Sequence, residues 1–113
     1  MTETLFDKII KKDIPADVIY EDEKSIVIKD INPQAPIHLL IIPKKNITML
    51  SSADEEDKEI LGHLMLVAGK VSKILKLDNT FNIVINNGAN AGQTVFHLHL
   101  HLLSGKSLNW FPA

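Results

Sequence analysis

The chain has no cysteine. Disulfides and thiolate metal sites are therefore excluded, and a reducing compartment is the fitting home. It has no surplus of basic charge: 12 Lys and Arg stand against 14 Asp and Glu, for a formal net charge of -2. Nothing drives such a chain onto a phosphate backbone, so no nucleic-acid partner is expected. It has no apolar run approaching the roughly 20 residues of a membrane span. The opening "MTETLFDKIIKKDIP" scatters charge where a signal peptide would be apolar. No membrane partner is expected, and the location reads as cytoplasmic. Glycine and proline are sparse, with five of each, and no repeat, linker or low-complexity segment stands out. What remains is ordinary globular composition, 45% apolar and 23% charged, in 113 residues. That is enough for one core and too little for two. The chain 1–113 reads as a single domain with an irregular tail from about 104 to 113.

"TETLFDKIIKK" predicts a short amphipathic helix with Leu5, Phe6, Ile9 and Ile10 on one face. "DVIYED" and "SIVIKDI" predict two strands around a charged turn at Asp22 to Lys24. "IHLLIIP" is apolar on both faces and so reads as a central strand. Ser52 to Glu55 has the form of a capping box. Behind it Ile60, Leu61, Leu64, Val67, Ala68, Val71, Ile74 and Leu75 recur at helical spacing. Asp54 to Asp57 sits where the helix dipole favours acid and is most simply a solvated helix start. "TFNIVIN" and "TVFHLHLHLL" predict two more strands around the loop "NGANAGQ". The order of helix, three strands, helix and two strands gives an α+β class, an antiparallel sheet with the long helix on one face. Such a sheet leaves an edge and part of a face open to a second copy.

"HLHLHLL", residues 97 to 103, holds three of the five histidines. Read as a strand, it sets Leu98, Leu100 and Leu102 on one face and His97, His99 and His101 on the other. The leucines cover a core. Imidazole is a poor strand former with an awkward half-charge near neutral pH, so three on one face point to chemistry. One use is metal. His97 and His99 lie ~7 Å apart along a strand, but all three span ~13 Å, too far for one ion. A zinc site would need two of them plus a residue such as His38. The other use is nucleophilic catalysis, because neutral imidazole attacks phosphorus well and leaves readily afterwards. The preceding "NNGANAGQT" suits a phosphate: Gly88 and Gly92 permit close backbone approach, and Thr94 adds a hydroxyl. Taken alone, His63 in the long helix reads as structural or surface, His38 as a core histidine, Asp30 as a turn former and Trp110 as a packing residue.

The histidine run matches the signature His-φ-His-φ-His-φ-φ, with φ apolar. Together with "LFDKIIKKDIPADVIYED", "KDINPQAPIHLLIIPKK", "LGHLMLVAGKV", "IVINNGANAGQTVFHLHLHLLSG" and "NWFPA", the chain resembles the Hint branch of the histidine-triad (HIT) superfamily. The resemblance runs from about Leu5 to the C-terminus. It implies a HIT-like fold, a five-stranded antiparallel sheet that becomes ten-stranded across a homodimer. It also implies purine nucleoside phosphoramidase activity with no cofactor and no metal. On that pattern His99 is the nucleophile, forming a nucleotidyl-histidine. His101 binds the phosphate oxygens and assists the leaving group, and His97 and His38 support them. Asp30 holds the ribose hydroxyls. Asn86, Gly92, Gln93 and Thr94 surround the phosphate. Leu5, Phe6, Ile9, Ile28 and Ile31 form the purine slot, and Trp110 reaches toward the partner subunit. Ile28 and Lys29 stand where animal Hint proteins often carry an aromatic residue and a histidine, and Asn46 where histidine is common. The rival readings are a nucleotide-binding regulatory module with little turnover, a zinc protein, and a dinucleoside polyphosphate hydrolase of the Fhit branch.

Overall fold

The computed structural model describes residues 3–107. Helix α1 (Leu5–Ile10) is followed by strands β1 (Val18–Glu21), β2 (Ser25–Lys29) and β3 (Ile37–Pro43). Helix α2 (Lys58–Ile74) comes next, then β4 (Asn82–Val84) and β5 (Leu100–Ser104). The strands make one sheet in the order β1-β2-β3-β5-β4, every neighbouring pair antiparallel. The doubly apolar "IHLLIIP" is indeed the central strand, because only a strand flanked and covered on both faces can bury both sets of side chains.

Alternation sorts the side chains between two clusters. One face carries Val27, Leu39, Ile41, Leu100 and Leu102, and α2 covers it with Leu64, Val67, Ala68 and Val71. The other face carries Ile26, Ile28, Leu40 and Ile42, against which α1 lays Phe6 and Ile9. His38, Leu40 and Ile42 share parity on β3, as do His99 and His101 around β5. The histidines therefore lie on the α1 side of the sheet, with the leucine face turned toward α2.

Four sequence expectations shift. The regular fifth strand begins at Leu100, because residues 95–97 bend, and Leu98 N–H instead donates to the Ile47 carbonyl at 2.6 Å. The capping box before α2 belongs to Asp54 and Asp57. Ser52 closes the preceding turn, its hydroxyl donating to the Met49 carbonyl at 2.8 Å. Asp57 is no solvated acid but is buried against Lys45 Nζ at 2.5 Å. Ile74 lies off the core face and is 53% exposed.

Gly105 has a steric reason. Its φ of 95° is left-handed, and a Cβ there would stand 2.8 Å from Pro36 Cβ.

His63 joins α2 to the β1–β2 turn, its Nε2 lying 2.8 Å from Asp22 Oδ2. Asp22 also accepts from the Tyr20 hydroxyl at 3.0 Å and from the Lys24 and Ser25 N–H groups, each at 2.8 Å. Burial pushes this carboxyl up, but the Lys24 N–H, His63, Tyr20 and Ser25 outweigh it and hold it well below the usual range. Asp22→Ala should lower unfolding stability by about 2 kcal/mol or more, since hydrogen bonds to a charged acceptor are the strong ones. Denaturant unfolding with an unchanged m-value would check it. The contribution is full above the ordinary Asp value of 3.8 and drains as pH falls below it.

Candidate active site

His99, His101, Asp30, Thr94, Leu5, Phe6, Ile9, Ile28 and Ile31 line one cavity of about 540 Å³ on the α1 side of the sheet. That is the size range of small-ligand sites. The sequence reading brings these nine residues to one place. It misses Leu40 and Val95, and also the segment Ile14 to Asp17, which forms part of the same wall. The proline-containing "IPAD" offers no local sign of this, since nothing in a loop's own residues says which cavity it will border.

Each imidazole has a fixed proton, assigned by partners that can only donate or only accept. His99 Nδ1 lies 2.8 Å from the His97 carbonyl, which accepts, so Nδ1 carries the hydrogen. Nε2 keeps its lone pair and has no partner among the described residues, on a ring that lines the cavity. His97 Nε2–H donates to the Pro43 carbonyl at 2.7 Å. The Gln34 N–H donates to His38 Nδ1 at 3.0 Å, so His38 carries its hydrogen on Nε2. That hydrogen faces His101 Nδ1 at 2.9 Å, which leaves His101 with its own hydrogen on Nε2. The arrangement holds one bare imidazole nitrogen on His99 and one N–H donor on the neighbouring His101 ring, with centroids 5.1 Å apart.

The surroundings keep the His99 and His101 rings neutral. Burial lowers His99 below the ordinary value of 6.5, against an upward push from the His97 carbonyl. Burial also lowers His101, to about 4, with His99 and His38 adding to the effect and Asp30 opposing it. Phe6 stands edge-on to His99, ring centroids 4.9 Å apart, and walls off one side of it. The consequence for pH has a definite sign. A lowered folded value means stability is full above 6.5 and is lost as pH falls through the folded values. Thermal unfolding should therefore show a lower Tm at pH 5 than at pH 7.5. Any activity that needs the His99 lone pair should have its acidic limb below 6.5.

His97 is fully buried and does not line the cavity. Its Nδ1 meets the Thr4 hydroxyl at 3.2 Å and Asp7 Oδ1 at 3.5 Å. Thr4 and Asp7 form the capping box of α1, and Asn46 donates to Asp7 Oδ2 at 2.8 Å. Burial pushes Asp7 up, yet the Thr4 N–H, His97, the Thr4 hydroxyl and Asn46 together hold it below its usual value. His97 thus ties the start of α1 to the histidine segment. Asn46, which sequence reading left without consequence, orients the acid that faces it.

Asn86, Gly92 and Gln93 are not among the residues that line the cavity. Gln93 is buried, with Oε1 accepting from Gly88 N–H at 2.8 Å and Nε2 donating to the Thr48 carbonyl at 2.8 Å. The Gly92 and Gln93 N–H groups are bonded within the loop, to the Ala89 and Gly88 carbonyls. Asn86 donates to the Ala91 carbonyl at 2.9 Å, and Gly92 turns with a φ of 96°. These three residues shape the loop that presents Thr94. Asp30 acts as a turn former and also faces a histidine of the site. Oδ1 accepts the Asn32 N–H at 2.8 Å as a turn former does, and Oδ2 lies 3.4 Å from His38 Nε2. Trp110 lies outside the described residues.

Zinc through His97, His99 and His38 does not fit, because their ring nitrogens do not converge: His97 is buried with Nδ1 on the Thr4 hydroxyl and Nε2–H on the Pro43 carbonyl, and His38 is held between Gln34 and His101. Among the described residues the one trio with convergent ligand atoms is Asp30, His38 and His101, within 4.8 Å of one another. An ion there would have to displace the proton shared by His38 and His101. No helix of the described residues is long and apolar enough to cross a membrane.

Comparison with known proteins agrees with this geometry. The family model described as HIT domain matches residues 11–108. An uncharacterised HIT-like protein of Synechocystis is 53% identical, covering 98% of this chain and 97% of its own. The "14 kDa zinc-binding protein" of Zea mays is 52% identical over 97% of this chain and 88% of its own. The crystal structure of a HIT family hydrolase from Legionella pneumophila superposes with a TM-score of 0.93 at 40% identity, covering 98% of this chain and 100% of that one. With its histidine segment set beside a cavity of small-ligand size, on a sheet shared with such relatives, this chain belongs to the HIT domain family.

Proposed function

We propose that the protein is a purine nucleoside phosphoramidate hydrolase that works through a nucleotidyl-histidine on His99. The observation that carries this reading is the His99 ring, with Nδ1–H locked on the His97 carbonyl and a neutral, bare Nε2 on a cavity wall. A ring so held is a ready nucleophile. In the first step Nε2 attacks the α-phosphorus and the P–N bond breaks. The amine departs with the bonding pair and takes a proton relayed from solvent through His101, whose Nε2–H is the donor the wall provides. Water then attacks the phosphorus, gives up a proton through His101 to solvent and releases the nucleoside monophosphate with His99 neutral again. His38, bonded to His101 and backed by Asp30, steadies the donor ring. Asp30 binds the ribose hydroxyls, Thr94 the phosphate, and Leu5, Phe6, Ile9, Ile28 and Ile31 enclose the base.

The working unit in this reading is a homodimer. Strand β4 pairs only with β5 among the described residues, and Val84 on it is 38% exposed. On α2, Met65 and Leu66 are 52% and 74% exposed. A second copy laid along that edge would extend the sheet to ten strands and cover these side chains.

The test is hydrolysis of adenosine 5′-phosphoramidate in excess chelator, with rapid quench and mass spectrometry of the protein. Metal-independent release of adenosine monophosphate with a nucleotidyl adduct on His99 is expected. A second reading has its own observation, the Asp30, His38 and His101 trio in a chain similar to a protein named for zinc binding. Activity that chelator removes and zinc restores would favour that reading over the metal-free one. Turnover of dinucleoside polyphosphates in preference to phosphoramidates would move the chain to the Fhit branch. Tight nucleotide binding without turnover of either would leave the regulatory module.

A further inference from the structure

One part of the cavity wall has no role in the chemistry above. Asp17 lines the cavity beside Ala16, and its carboxylate lies 3.5 Å from Lys29 Nζ. The backbone holds the two together, for the Lys29 N–H donates to the Asp17 carbonyl at 3.0 Å. Their place in the sheet sets their distance from the reacting end. His101 is on β5, Lys29 ends β2, and Asp17 directly precedes β1, with β3 between β5 and β2. Three inter-strand spacings separate β5 from β1, roughly 14 Å. A mononucleotide with its phosphate at His99 and its ribose at Asp30 therefore brings the outer edge of its base to Asp17 and Lys29.

We propose that Asp17, with Lys29, reads the hydrogen-bonding edge of the purine and makes the site prefer guanine to adenine. This rests on the nucleotide reading of the cavity given above. Guanine presents two adjacent donors, N1–H and the N2 amine, which a carboxylate accepts with two oxygens at once. Its O6, next to N1, is an acceptor placed for the Lys29 ammonium. Adenine presents a lone pair at N1, which a carboxylate repels, and offers only its N6 amine. Hypoxanthine keeps N1–H and O6 but lacks the second donor, so it should fall between. The rest of the base slot is apolar, through Phe6, Ile9 and Ile28, and tells one purine from another only weakly.

Calorimetric binding of guanosine, inosine and adenosine monophosphates to the wild type and to Asp17→Asn tests the proposal. Both side chains are more than half exposed, at 66% for Asp17 and 59% for Lys29, which limits the effect. Guanosine monophosphate should bind about tenfold more tightly than adenosine monophosphate, with inosine intermediate, as expected for charge-assisted hydrogen bonds near solvent. Asp17→Asn turns one acceptor oxygen into a donor and should bring the ratio close to one, chiefly by weakening guanosine. Equal affinity in the wild type, or a guanine preference that survives the substitution, would overturn the base reading while leaving the nucleotide site standing. Failure of the wild type to bind any of the three would overturn both.

Discussion

Replacing His99 with alanine is expected to remove turnover while leaving nucleotide binding largely in place. Among the described residues the imidazole is the one bare nucleophilic ring nitrogen fixed on the cavity wall, since Nδ1 donates to the His97 carbonyl and burial keeps the ring neutral. Without it the reaction cannot divide into two displacements, and kcat should fall by on the order of a thousandfold or more. The groups assigned to the rest of the nucleotide, Asp30, Thr94, Ile28 and Ile9, stay where they are. The Kd for a nucleoside monophosphate should therefore move little, and the nucleotidyl adduct should disappear. Steady-state kinetics, calorimetry and mass spectrometry on one preparation check all three. A folded His99→Ala protein that no longer binds nucleotide would show that the ring is structural. His99 is 7% exposed and packs against Phe6, so a circular dichroism spectrum and a melting curve must accompany the result.

His101→Ala should give the second-largest loss, of about 10²- to 10⁴-fold in kcat, the usual range for a lost general acid. The size should depend on the leaving group. His38 Nε2–H is bonded to His101 Nδ1 at 2.9 Å, so His101 can offer only its Nε2–H outward. An alkylamine leaves poorly without that proton, whereas a nitrophenolate needs none. Plots of rate against leaving-group pKa should therefore be steeper for the variant than for the wild type. Parallel plots would reduce His101 to a phosphate ligand. His38→Ala should reproduce part of the effect, because it removes the hydrogen bond that steadies the donor ring without removing the donor.

Much of the cavity was legible in advance, and particular residues show why. His99 and His101 announced themselves by alternation, and Asp30, Thr94 and Phe6 by colinear family motifs. Gln93 shows the limit. A polar residue in a Gly-rich loop reads as a phosphate donor, yet both ends of its amide are taken by Gly88, Thr48 and Val95. Asp57 shows the same limit in a helix start, because Lys45, which buries it, arrives from another part of the chain. Asp17 could not be found at all from its neighbours, since its importance lies in facing Lys29 across the edge of the sheet.

By itself the sequence determined the α+β class, the central place of β3, the two faces of the histidine segment and the family. Each of these depends on short-range periodicity or on colinear motifs, and side-chain alternation is a property of local backbone geometry. Only the tertiary structure decided which nitrogen of each imidazole carries its proton, and so which histidine can attack and which can donate. For His97 and His101 the partner comes from far along the chain, Pro43 across 54 residues and His38 across 63, while for His99 and His38 it is a near neighbour that only the folded backbone places, the His97 carbonyl and the Gln34 N–H. A tautomer is set by the group across the hydrogen bond, and folding alone brings that group into place.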